Sequence, residues 1–143
     1  MNQITATLGR LQTARTLPEI LDAAYAAFEH IIAVLRHHQQ QAGAAFPAFV
    51  LAAAAAGNGR DDIADAPSLA RAAVPAMPGA PDLMAGASID DAAFALAELS
   101  SLLDVRLSAG AATTASQADR ACCEHAAQEA ARIGELLGWA RQP

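Results

Sequence analysis

Apolar positions recur along this chain at steps of three and four, the spacing that lines one face of an α-helix. Leu17, Leu21, Ala24, Phe28, Ile31 and Leu35 form one such stripe. It follows Thr16-Leu17-Pro18-Glu19. There a threonine N-cap, a glutamate three residues on and a proline in the first turn make a capping box. The pattern predicts a helix from there to about Ala42, ended by Gly43. A shorter amphipathic segment, residues 2–14, precedes it with Ile4, Leu8 and Leu11.

A third helix is expected over Phe46–Ala56, opened by Pro47 and ended by Gly57-Asn58-Gly59. It is apolar almost all round and should be buried on several sides. A fourth begins at Ser88, with Asp90 and Asp91 suited to the positive end of a helix, and ends at Gly110. Its stripe is Ile89, Ala92, Leu96, Leu99, Leu103 and Leu107. The last is expected to open on the box Thr114-Ala115-Ser116-Gln117 and run to about Arg141. Its stripe is Ala118, Cys122, Ala126, Ile133, Leu137 and Ala140. Residues 57–87 hold four of the seven prolines and four of the nine glycines, and read as a long connection, with one or two helical turns at Ser68–Val74. No run alternates in the manner of a strand.

The expected architecture is therefore all-α and single-domain (1–143): an antiparallel bundle of four main helices plus a short N-terminal helix. Two helical hairpins are joined by the Pro/Gly-rich connection 57–87.

Composition sharpens this picture. Of 143 residues 40 are alanine, and Leu, Ile, Val and Phe together number only 30. Alanine favours helix strongly but removes little apolar area when buried. Close helix approach is expected, with each large side chain mattering individually.

Charge excludes some functions. The net charge is −6, lysine is absent, and the nine arginines are scattered. Nucleic acid and anionic membranes both require clustered cations, so neither is an expected partner. No apolar run is long enough for a membrane span. Arg10, Arg15 and Glu19 near the start argue against a secretory leader, and a cytoplasmic location is expected.

Candidate chemistry is sparse. Asp61-Asp62-Ile63-Ala64-Asp65 has the spacing that can hold magnesium against a diphosphate, but a chain this short cannot wall the deep pocket such chemistry needs. Capping and solubility are the expected roles. His30 and His37 share one face of the second helix, expected to be solvated, and lie about 10 Å apart along the axis, too far for one metal. His38 faces nearer the core.

Cys122, His125 and Glu129 fall on one side of the last helix and could together ligate a metal or small ligand, with Glu98 contributing from another helix. In that set Cys122 is expected to be a small core residue and Cys123 to sit at the boundary. Glu129 lies close to the apolar stripe and needs a partner there.

Phe94, Leu102 and Val105 lie off the fourth helix's core stripe, and Trp139 off the last one's. A second apolar strip means that a helix is covered on two sides. The expected function is a non-enzymatic interaction module, a homo-oligomer (dimer) or a partner of another helical protein, with no cofactor. The alternative is a bundle binding a metal or ligand through Cys122, His125 and Glu129.

Overall fold

The computed structural model describes the backbone of residues 3–69 and 88–140, and the side chains of 4–69 and 88–138. The described residues form five α-helices: α1 (Gln3–Thr13), α2 (Leu17–His38), α3 (Phe46–Ala64), α4 (Ile89–Thr113) and α5 (Gln117–Ala140). No strand occurs among the described residues.

Local chemistry sets the helix ends. The Thr16 hydroxyl accepts from the Glu19 amide while the Glu19 carboxylate accepts from the Thr16 amide, completing the box that opens α2. α2 stops at His38, four residues short of the expected end. Two short 3₁₀ turns (Gln39–Gln41 and Gly43–Ala45) carry the chain into α3, and Gly43 turns with a positive φ of 58°. Ser88 caps α4 by accepting from the Asp91 amide. α4 continues three residues past Gly110, whose missing side chain leaves room for Leu17 instead of ending the helix. A Cβ there would meet Leu17 Cδ1 at 3.2 Å.

The largest departure is in α3. Gly57, Asn58 and Gly59 do not end it; the helix passes through them to Ala64. Gly59 is where α3 meets the Phe28 ring of α2, and only a residue without Cβ allows that approach. Residues 57–64 therefore belong to a helix and not to the connection. The expected turns at Ser68–Val74 and the connection Pro75–Ala87 lie almost wholly outside the described residues.

α2 packs on α3 and α4, and α5 packs on the same two, so α3 and α4 stand at opposite corners. α1 lies against α2 and α4. The core between them is built from Phe28, Phe49, Leu21, Ile31, Leu35, Ile63, Leu96, Leu99, Leu103 and Leu107, with alanines filling the close contacts. The expected stripes of α2 and α4 are all buried except Leu17 and Ile89, which are partly so.

α5 is rotated from expectation over its first half. Its cap is two residues later: Ser116, not Thr114, is the N-cap and accepts from the Asp119 amide. Asp119, Cys123, Ala127 and Ala130 are buried there, whereas Ala118 is exposed and Cys122 half-buried. Ala126, Ile133 and Leu137 are buried as expected.

Candidate interaction surfaces and polar clusters

On α4 the core stripe takes one side of the helix, and Phe94 and Val105 emerge on another, 48% and 61% exposed. Leu102 is half-buried and packs against the edge of the core. With Val105, Ser101 and Glu98 it lines a shallow cleft of about 430 Å³, closed on its far side by Leu8 and Gln12 of α1. The Trp139 side chain lies outside the described residues.

A second apolar surface appears on α3, where the sequence predicted burial. Phe46, Val50 and Leu51 are 41%, 40% and 47% exposed. Only one face of α3 is enclosed, through Phe49, Ala52, Ala55, Ala56, Gly59 and Ile63. Among the described residues the main neighbours of α3 are α2 and α5, with the two 3₁₀ turns against its start. Beside Val50 a cleft of about 260 Å³ opens between α2 and α3, lined by Ile32, Arg36, Gln39, Ala53, Ala54, Gly57 and Arg60. Arg60 is already engaged there, with Glu29 at 3.2 Å and Asp61 at 3.4 Å.

The polar sets of the sequence are regrouped by the fold. The Asp61–Asp65 run forms the end of α3; Asp62 and Asp65 lie near Cys122 and His125 of α5, whereas Asp61 is exposed and pairs with Arg60. Burial pushes the Asp62 carboxyl up, and His125 opposes that shift by its charge. The Cys122 thiol is pushed up by burial and by Asp65, Asp62 and Asp119. A nucleophilic thiol needs the opposite, a cationic setting that favours thiolate. Cys123, fully buried, is pushed up to about 11, mainly by burial. The expected roles of the two cysteines are thus exchanged.

His125 is exposed, and Glu129 is half-buried with Oε2 enclosed and without a hydrogen-bond partner among the described residues. No three His, Cys, Asp or Glu side chains among those residues stand where they could jointly hold a metal ion.

Two polar pairs were not anticipated. Asp119, buried in the first turn of α5, accepts from the Ser68 amide at 3.0 Å and the Ser68 hydroxyl at 2.6 Å. It ties the segment following α3 to α5. His30 is not solvated but buried, because α1 lies over that face of α2; its Nδ1 is hydrogen-bonded to Thr7 Oγ1 at 2.5 Å. Desolvation, helped by the charge of Arg10, pushes the His30 pKa below its ordinary value. The same helix is held by Arg10 against Asp22 at 3.6 Å and by Arg106, which donates to the Ala14 carbonyl.

These pairs fasten elements together. None places an acid, a base and a nucleophile around a common space where a substrate could sit. No helix among the described residues is long and apolar enough to cross a membrane. No protein-family model, no curated protein and no solved structure matches the chain.

Proposed function

We propose that this chain is a non-enzymatic helical interaction module that acts by self-association. The observation that carries this is that Val105 on α4 and Phe46, Val50 and Leu51 on α3 stand exposed beside a core of fully buried side chains. Large apolar side chains standing together at a surface cost solvation and are commonly covered by a partner. The small-residue faces of this bundle suit helix-on-helix contact of the same kind. A cytoplasmic setting accords with the two free cysteines, adjacent on one helix and unable to pair easily with each other.

Sedimentation velocity over a hundredfold range of concentration tests this. The expected result is a mass that rises with concentration above that of one 14.6 kDa chain. A single-chain mass throughout would end the proposal.

A further inference from the structure

We propose that the cleft between the end of α1 and α4 is a binding site for a phosphate group, held by Arg15 and Arg106. This goes beyond the self-association proposed above and does not rest on it.

The two arginines lie far apart in the sequence, and the fold brings them to one place. Arg15 stands in the turn that joins α1 to α2, and Arg106 in the second half of α4. With Gln12, Thr13 and Ala14 they line a cleft of about 440 Å³. That size falls in the range of small-molecule sites, roughly 300–1,000 Å³.

Charge is the first ground. In a chain of net charge −6, this cleft is lined by two cations and, among the described residues, by no acid. Neither arginine forms an ion pair among those residues. Glu19 and Asp22 line a separate cleft that shares Thr13 and Ala14 with this one, and both are engaged. Glu19 accepts from the Thr16 amide at 3.1 Å and the Thr16 hydroxyl at 2.9 Å, and Asp22 pairs with Arg10 at 3.6 Å. The charge of Arg15 still acts on Glu19, whose carboxyl is held low by Thr16 first and by Arg15 last.

Burial is the second. Arg106 is half-buried, and its Nε is enclosed without a hydrogen-bond partner among the described residues. A guanidinium withdrawn from water without a counter-ion is costly, and a bound anion offsets that cost. One N–H of the same group donates to the Ala14 carbonyl, which holds the guanidinium against the end of α1. Its remaining donors share one rigid plane, the geometry that takes two phosphate oxygens at once.

These features select the ligand. Two uncompensated guanidinium groups match a phosphate ester, which carries about −1.5 to −2 at neutral pH, better than a carboxylate. Gln12 is exposed, makes no side-chain hydrogen bond among the described residues, and adds an amide donor. It also lines the cleft of Leu8, Leu102 and Val105, so the body of an ester has apolar surface beside the phosphate. Nucleic acid and anionic membranes need larger clusters of cations. The ligand is therefore a small soluble phosphate, free or esterified.

Amide NMR spectra titrated with phenyl phosphate and with inorganic phosphate, at fixed ionic strength, test this. Saturable shifts should centre on residues 12–15 and on the turn of α4 around Arg106. Arg15→Glu should weaken binding about tenfold or more, as the loss of a charge-assisted contact predicts. Arg132→Glu makes the same change in net charge at an exposed position of α5 outside the cleft, and should bind as the parent does. Arg106→Gln should weaken binding as well. Because Arg106 also fastens α1, its circular dichroism is compared with the parent's, and Arg15→Glu, at an exposed turn position, decides if that fold is altered.

Tighter binding of phenyl phosphate would assign the site to esters with an apolar body, and equal or tighter binding of inorganic phosphate would assign it to the free ion. Shifts that do not saturate with either probe, shifts centred elsewhere, or an equal loss in Arg15→Glu and Arg132→Glu would overturn the site.

Discussion

The Phe28 ring of α2 lies against the backbone of Gly59 in α3, so close that a Cβ on that glycine would stand 2.5 Å from Cζ. Phe28 is fully buried and has nowhere to retreat. Gly59→Ala should therefore destabilise the fold by about 2 kcal/mol, the usual cost of overpacking a closed core. Gly57, two residues earlier in the same helix, has nothing within 4 Å of its Cβ position. There the same substitution should stabilise by about 0.5–1 kcal/mol through helix propensity. Opposite shifts of the urea midpoint are expected; equal ones would show that the close approach is not what glycine serves at 59.

Burial of His30 makes stability fall on mild acidification. Its pKa is lowered in the folded state by desolvation first and by Arg10 second, so the unfolded chain binds the proton more readily. The contribution of the neutral ring is fully present above the ordinary value of 6.5 and is lost as pH drops below it. His38, lowered by burial and by His37, acts with the same sign. Asp22 and Asp62 are raised by burial and act in the opposite sense, gaining stability on protonation as pH falls toward the carboxylate range. Between pH 7.5 and 5.5 the histidines should dominate. The melting temperature should drop over that window, and the drop should shrink in His30→Gln without vanishing, since His38 remains.

Asp119, itself buried, holds the half-buried Ser68 through two hydrogen bonds. Asp119→Ala leaves a half-buried amide and hydroxyl without that acceptor and should cost about 1–2 kcal/mol, with Ser68→Ala costing less. A double-mutant cycle followed by urea unfolding should give a coupling above about 0.5 kcal/mol. Additive effects would mean that the contact contributes nothing.

The two thiols should differ in reactivity. Cys122 is half-buried and Cys123 fully so, and both are held protonated, Cys123 up to about 11. Iodoacetamide at pH 7.5 should label Cys122 more slowly than a free cysteine and Cys123 only after unfolding. Rapid labelling of Cys123 in the native protein would contradict the observed rotation of α5.

What the sequence disclosed depended on contrast in side-chain size. The stripes of α2 and α4 were legible because Leu, Ile and Phe stand out from polar neighbours, and the Thr16–Glu19 box because its chemistry is local. The start of α5 was not: Ala118, Cys122, Cys123 and Ala127 are too alike to define a face. Ser116 and Asp119, which share the spacing of a capping box, were the missed signal. Gly57-Asn58-Gly59 misled because glycine can mark either the end of a helix or a close crossing, and Phe28, far away in sequence, decides which. The candidate surface on α4 was legible from Phe94, Leu102 and Val105. Its counterpart on α3 was not, since apolarity all round gives no hint of which side neighbours leave open.

The central claim is tested most directly by sedimentation equilibrium on the parent beside Phe94→Asp and Val105→Asp, at matched concentrations. Val105 is exposed, and its substitution should leave the fold intact. The account predicts a parent heavier than one chain and variants at or near the single-chain mass. Variants that keep the parent's mass, or a parent that is already a single chain, would contradict it.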